Sequence, residues 1–164
     1  MITGSDIAPG KRLFDVAVSL TALVLLVPVL VVIALLVKFG SPGPVLYRQQ
    51  RVSRGGRLFE LLKFRTMVVG ADRMAANVSA TGDPRVTRVG AFLRKSYLDE
   101  LPQLLNVLRG DMSLVGPRPL TAADAQRLAA QCPDFAQRLT VAPGLTGLPQ
   151  VCLARGAAQT AALD

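Results

Sequence analysis

Between Asp15 and Lys38 the chain runs for 22 residues, Val16 to Val37, without one ionisable side chain. That length matches the roughly 20 apolar residues a helix needs to cross a hydrocarbon core of about 30 Å. The whole chain has only 164 residues, 51% hydrophobic and 18% charged, and its mean hydropathy is +0.40. Such a length supports one modest domain, so the apolar excess is concentrated in a membrane segment rather than spread through a large core. A cleaved secretory signal is the competing reading. The run is long for a signal core, however, and Lys38 and Arg48 follow it in place of a small-residue cleavage site.

Three features bear on how the segment meets the bilayer. Pro28 sits near its middle, where the ring deletes a backbone hydrogen bond and disfavours helical geometry at Val27, so a break or kink is expected there. Lys11 and Arg12 precede the run, and Lys38, Arg48, Arg51, Arg54 and Arg57 follow it. The positive-inside rule therefore places both ends in the cytoplasm. Roughly 9 to 12 residues on each side of Pro28 reach about 14 to 18 Å, around half the hydrocarbon thickness. A re-entrant helix-break-helix fits all three features; one kinked transmembrane helix with a short outside tail is the alternative.

Composition narrows the chemistry. The sequence has no histidine, which removes Ser-His-Asp and Cys-His catalysis and every His-ligated metal site. Its two cysteines, Cys132 and Cys152, can build neither a zinc cage nor a disulfide framework. Almost all of the net charge of +8 lies in residues 48–118. Those cations are interleaved with few aromatics and form no solid basic helix face, which argues against a nucleic-acid partner and for anionic lipid head groups.

Beyond the apolar run, Gly40-Ser41-Pro42-Gly43-Pro44 reads as a turn. Val45 to Val52 and Leu58 to Phe64 flank Arg54-Gly55-Gly56-Arg57 as a small β-hairpin. Residues 70–84 read as a loop. Leu98, Leu101, Leu104, Leu105 and Leu108 recur at helical spacing and predict an amphipathic helix over about 98–109, ended by Gly110. Met112 to Val115 reads as a short strand, Thr121 to Gln131 as a helix stopped near Pro133, and residues from Ala154 as a patternless tail. The expected fold class is α+β and helix-dominated, riding on one re-entrant helix.

Asp99 and Glu100 are adjacent carboxylates at the opening of the Leu-lined helix, with Pro102 in its first turn. One reading is structural: Asp99 caps the helix and Glu100 favours its dipole, together worth about 1 kcal/mol. The other is catalytic: an ionised aspartate attacks phosphorus, and the second carboxylate serves as base or metal ligand. That chemistry requires cations to offset repulsion between carboxylate and phosphate. Lys63, Arg65, Arg94 and Arg118 are the candidates, with Mg²⁺ on the two carboxylates. Arg118, braced between Pro117 and Pro119, suits a bidentate grip on phosphate but equally an exposed turn. Pro143-Gly144-Leu145-Thr146-Gly147 reads either as a loop presenting N–H groups to an anion or as an ordinary turn.

Several of these stretches together resemble one family. Lys11-Arg12-Leu13-Phe14-Asp15 before a Pro-broken apolar run, Lys63-Phe64-Arg65-Thr66-Met67, Leu98-Asp99-Glu100-Leu101-Pro102-Gln103-Leu104, Asn106-Val107-Leu108-Arg109-Gly110-Asp111-Met112-Ser113, Val115-Gly116-Pro117-Arg118-Pro119 and Pro143-Gly144-Leu145-Thr146-Gly147 occur in that order. In this combination, over about residues 11–151, the chain is similar to the bacterial sugar transferases, the monotopic phosphoglycosyl transferases. The resemblance implies an enzyme of the cytoplasmic face of the bacterial inner membrane that moves a sugar phosphate from a UDP-sugar to polyprenol phosphate, an early membrane step of glycoconjugate or exopolysaccharide assembly. It implies that Asp99 attacks the β-phosphate, forms a covalent phosphosugar and releases UMP, with Glu100 as base or Mg²⁺ partner. Arg94 and Arg118 would hold phosphate, with Lys63 or Arg65 nearby, and Pro143, Gly144, Thr146 and Gly147 would contact nucleotide or sugar.

The implied organisation is a tail over 1–10, a re-entrant membrane helix over 11–39 broken at Pro28, a membrane-associated catalytic domain over 40–153, and a tail over 154–164. With no long N-terminal domain of further membrane helices, the sequence resembles the family's minimal form. It departs from the family where Val27 replaces a frequent Ser before the Pro, where Ala142 replaces a basic residue, and where Leu148-Pro149 stand in place of a Trp. The rival from another class is a non-enzymatic membrane anchor whose basic face binds anionic lipid or a partner. Neither the sugar nor the oligomeric state is legible.

Overall fold

The computed structural model describes residues 8–71, 74, 83–132 and 135–147. The chain begins with α1, Pro9–Gly40, a helix of 32 residues. Strands β1 (Leu46–Val52) and β2 (Leu58–Phe64) follow and pair in a two-stranded sheet around a 3-10 turn at Arg54–Gly56. So short a connection permits only an antiparallel pair, the hairpin expected. Then come α2 (Arg88–Lys95), a 3-10 turn at Leu98–Glu100, α3 (Gln103–Arg109), β3 (Ser113–Val115), α4 (Ala122–Gln131), the single-turn α5 (Phe135–Arg138) and β4 (Gly144–Thr146). The helix-dominated α+β class is as expected.

Two compact units interleave along the chain. The first takes the amino-terminal part of α1 up to Leu23, residues Gln49–Leu61, and the chain from Gln103 onward. One of its cores joins Phe59, Leu61, Val107 and Met112; a second joins Ala125, Leu128 and Phe135, with Cys132 half-buried against it. The first turns of α1 are bonded into this unit. Arg12 Nη1 and Nη2 donate to the carbonyls of Val107 and Leu108 at 2.5 and 2.7 Å. Both carbonyls lie in the last turn of α3, where a cation is favoured, and the Val107 carbonyl also accepts from the Gly110 N–H at 3.0 Å. Asp15, only 1% exposed, accepts from Ser113 Oγ at 2.8 Å and from the Leu114 N–H at 3.2 Å. Lys11 Nζ completes the cluster by donating to Ser113 Oγ and pairing with Asp15 at 3.5 Å. The Lys-Arg-x-x-Asp stretch is thus a structural clasp.

The second unit takes Val24–Arg48 and Leu62–Pro102. Its core joins Ile33 and Val37 of α1 to Phe64 and Leu93, with Val89, Leu98 and Leu101 packed around them. Along α1 the buried residues are Asp15, Ser19, Ile33 and Val37, whereas Leu20, Val24, Leu25, Val31, Val32, Leu35 and Leu36 are exposed. A helix that is apolar around most of its circumference yet uncovered suits lipid, not water.

Four expectations change. The break expected at Pro28 is not seen: α1 continues through it as one helix. The ring removes a single i→i−4 bond at Val24, a local loss in a 32-residue helix. The helix expected over 98–109 is instead a 3-10 turn followed by α3, which starts only at Gln103. Pro102 has no N–H to donate, so no main-chain bond from it ties the turn to α3, although Leu101 itself stays in the α region at φ −52, ψ −37. Gly110, at φ 85, ends α3 as expected. Pro143–Gly147, read as a loop or turn, contains β4, which pairs parallel to β3 in the register Ser113 with Gly144 and Val115 with Thr146. A three-residue strand that begins at Gly144 carries no alternation to read, because a distant partner satisfies its backbone. Finally, α2 and α5 were not anticipated. The tail over 154–164, Leu148–Pro149 and most of the 70–84 loop lie outside the described residues.

Candidate active site

The dyad lies in the second unit. Tyr97 opens its turn with φ 58, a left-handed conformation unusual for an aromatic residue, and the Tyr97 carbonyl accepts from the Glu100 N–H at 3.2 Å. Asp99 is 7% exposed. Lys63, next to last in β2, donates from Nζ to Glu100 Oε1 at 2.5 Å, with only 20% and 16% of the two side chains exposed. Arg94, in the last turn of α2, donates from Nε to Thr66 Oγ1 at 2.8 Å.

Local packing fixes these partners. Thr87 caps α2 by accepting from the Gly90 N–H at 2.9 Å, and its own N–H reaches the Thr66 carbonyl at 3.0 Å. Gly90 lies so close to Thr66 that a Cβ would collide with that carbonyl. The first turn of α2 is therefore pressed against the exit of β2, which leaves Arg94 within reach of Thr66 two turns later.

Burial pushes the Asp99 carboxyl above its ordinary range. Lys63 pulls it back, the Glu100 charge pushes it further up, and its own backbone N–H and Arg94 lower it. The net upward shift reflects burial and the Glu100 charge, which the nearby cations offset only in part. Oxygen donors with unmet charge suit Mg²⁺, which keeps most of its waters and takes one or two carboxylates plus substrate phosphates. Asp99 and Glu100 therefore fit such an ion, and no cluster of three or more acidic or cysteine side chains occurs among the described residues.

The other candidates divide. Arg65, 5% exposed, donates from Nη2 to the carbonyls of Val37 and Ser41, at 3.3 and 2.7 Å, and to Ser41 Oγ at 2.8 Å. These bonds cap the carboxyl end of α1, while Lys63 pairs with Glu100 of the dyad. Arg118 and the 143–147 segment belong to the first unit, and the structure brings them together. The Gly144 N–H donates to the Pro117 carbonyl at 2.8 Å. Pro117, Arg118 and Pro143 line a shallow, open recess with Ser53, Phe135 and Arg138. Arg138 Nη2 donates to the Arg118 carbonyl at 2.7 Å. Sequence reasoning missed Arg138, Thr66 and Tyr97: a lone Arg, a lone Thr and a turn Tyr have no spacing signature, and each matters through a partner distant in sequence.

The model of the family described as bacterial sugar transferase matches residues 7–164. The chain belongs to that family. Over 153 residues it is 49% identical to a UDP-glucose:undecaprenyl-phosphate glucose-1-phosphate transferase of Caulobacter vibrioides, covering 93% of this chain and 57% of that protein. It is 44% identical to an exopolysaccharide production protein of Rhizobium leguminosarum over 89% of this chain and 75% of that protein. A UDP-N-acetylgalactosamine-undecaprenyl-phosphate N-acetylgalactosaminephosphotransferase of Aeromonas hydrophila is 43% identical, with 86% of this chain and 33% of that protein aligned. The chain thus spans from a third to three quarters of the length of these relatives, and the dyad, Lys63 and Arg118 all fall within the family match.

Proposed function

We propose that this bacterial sugar transferase moves a sugar 1-phosphate from a UDP-sugar to polyprenol phosphate at the cytoplasmic face of the inner membrane. The observation that carries this reading is the buried Asp99 carboxylate beside the Lys63–Glu100 pair. Such a group is a poor solvated surface charge and a good candidate nucleophile, desolvated and flanked by cations. An Asp99 oxygen attacks the β-phosphorus of the UDP-sugar. The bond from that phosphorus to the bridging oxygen breaks, and its electron pair leaves with UMP. An oxygen of polyprenol phosphate then attacks the same phosphorus, the aspartyl bond breaks, and Asp99 returns as a carboxylate.

Lys63 and Arg94 offset charge on the transferring phosphoryl group, and Glu100 holds Lys63 in place. Within the first unit, Arg118, with the Gly144–Thr146 strand beside it, is the residue suited to a bidentate hold on a phosphate. When bound at Asp99 and Glu100, Mg²⁺ would supply further charge neutralisation on the diphosphate. The names of relatives support a UDP-sugar and an undecaprenyl carrier, but they span glucose and N-acetylgalactosamine, so the sugar is not assigned.

The clasp supports a monotopic arrangement. Arg12 and Asp15 at the start of α1 bond to residues 107–115, which follow its end, and α1 is the only helix among the described residues long and apolar enough to cross a bilayer. A chain that crossed once in α1 could not make those bonds. On this reading α1 does not cross the membrane; as one helix through Pro28, it would rest its exposed apolar side chains in a single leaflet. The test of the activity is UMP release from a panel of UDP-sugars by detergent-solubilised protein with polyprenol phosphate. Release that stops in excess EDTA and returns with Mg²⁺ is expected; a pure membrane anchor would release none.

A further inference from the structure

Thr66, the second residue after β2, holds α2 at both ends. Its carbonyl accepts from the Thr87 N–H at 3.0 Å where the helix starts, and its Oγ1 accepts from Arg94 Nε at 2.8 Å in the last turn. Between those two points Gly90 presses on the same residue: a Cβ there would stand 2.0 Å from the Thr66 carbonyl oxygen. Thr87, Gly90 and Arg94, spaced i, i+3 and i+7, thus share the face of α2 that lies across Thr66. Thr66 is 7% exposed, and Leu93, beside that face, is wholly buried. A helix packed so closely keeps one register against its neighbour.

The consequence falls on the Arg94 guanidinium. A guanidinium is a rigid planar fork whose donors point in fixed directions, Nε on one side and the Nη pair beyond it. Among the described residues the bond to Thr66 is the one that the Arg94 side chain makes. Its Nη donors are therefore available to a ligand. Arg94 is half-buried, and its charge is felt at Asp99. A long flexible side chain anchored only at Cα samples many directions, and ordering it on arrival of an anion costs entropy. A hydroxyl bonded to Nε selects one direction beforehand.

We propose that Thr66 is a positioning residue for the transfer, its hydroxyl holding Arg94 by Nε so that the Nη pair faces the phosphoryl group transferred at Asp99. The proposal rests on the reading that Arg94 offsets charge on that group. Thr66 divides its duties by atom: the carbonyl anchors the start of α2, and the hydroxyl aims the arginine. The two are separable, because Thr66→Val keeps the β-branched shape and the main-chain bonds and removes only the acceptor.

Thr66→Val and Thr66→Ser would be compared with the parent in the detergent-solubilised full chain, by UMP release from the most active UDP-sugar of the panel and by Tm. Thr66→Val should lower kcat about 10- to 100-fold, the scale of misplacing a group by about 1 Å. KM and Tm should stay close to the parent's, because Arg94 acts on charge that develops during transfer. Thr66→Ser returns an acceptor oxygen and should recover most of the loss. In an Arg94→Lys background, Thr66→Val should cost far less than in the parent, since the fork it serves is gone. Parent-like activity in Arg94→Lys would remove the role given to Arg94, and this proposal with it. A large loss in Arg94→Lys beside parent-like Thr66→Val overturns the positioning role alone, as does an equal loss from Thr66→Val in both backgrounds, which would mean that Thr66 acts through packing. Nitrogen-15 spectra of arginine-labelled protein give a reading independent of any residual rate. The Arg94 Nε–H signal, identified by its loss in Arg94→Lys, should exchange slowly with water in the parent and in Thr66→Ser and quickly in Thr66→Val; equal exchange in all three would contradict the proposal.

Discussion

Lys63 Nζ lies 2.5 Å from Glu100 Oε1, both side chains largely withdrawn from solvent. The ammonium that this pair holds in place is also the strongest of the influences keeping the neighbouring Asp99 ionised. One pair thus links the end of β2 to the protonation state of the proposed nucleophile.

Replacing Lys63 by Met removes that influence together with the Nζ bond to Glu100. Asp99, already raised by burial, moves further up and is ionised only at higher pH. Since the reactive form is the carboxylate, activity in the parent should rise with pH through a carboxylate pKa above the ordinary range. In Lys63→Met that acid limb should shift to higher pH and the plateau should fall about 10²-fold or more, the scale of losing one preorganised charge. The pH dependence of UMP release measures both effects. An unmoved acid limb would separate Lys63 from Asp99.

Asp99→Asn should abolish turnover and yet stabilise the fold. A carboxyl whose folded pKa lies above its unfolded value favours the folded state when protonated and penalises it when ionised. The penalty develops as pH rises from the unfolded pKa through the folded one. The neutral amide escapes it. The Tm of Asp99→Asn should therefore exceed that of the parent at pH 8, with the gap closing as pH falls through the acid limb. A lower Tm at pH 8 would mean that the carboxylate is held by bonds that outweigh its burial.

The topology has its own test. Cysteines at Ala8 and at Ala123 of α4, in a background with Cys132 and Cys152 replaced, should both resist a membrane-impermeant thiol reagent on intact cells and both react once the membrane is opened. Arg12→Ala, which removes the guanidinium bonds to the carbonyls of Val107 and Leu108, should loosen the amino-terminal part of α1 at a cost of about 1–3 kcal/mol. Labelling of Ala8→Cys alone on intact cells would establish a spanning helix.

Much of this architecture was legible in sequence because its signals are local. The uncharged run gave α1, the Gly-Gly turn gave the hairpin, and Thr121 with the alanines after it gave α4. Legibility failed where distant partners decide. β4 exists because Ser113 and Gly116 donate to the carbonyls of Pro143 and Thr146, and no window around residue 144 contains that fact. Asp99 and Glu100 were found as a pair, but their placement in a 3-10 turn rather than at a helix cap followed from Pro102. In sequence Lys11, Arg12 and Asp15 are charges flanking a membrane run; their bonds to residues 107–115 make them structural as well.

The central claim is that Asp99 carries the phosphosugar. Protein incubated with a radiolabelled UDP-sugar and Mg²⁺ but without polyprenol phosphate, then quenched and digested, should yield the label on the peptide containing Asp99. UMP should appear in equal amount, the label should discharge when polyprenol phosphate is added before quenching, and Asp99→Asn should yield none. Steady UMP release that depends on polyprenol phosphate, with no label retained on any peptide at any time of quenching, would contradict the covalent mechanism and favour direct transfer between the two substrates.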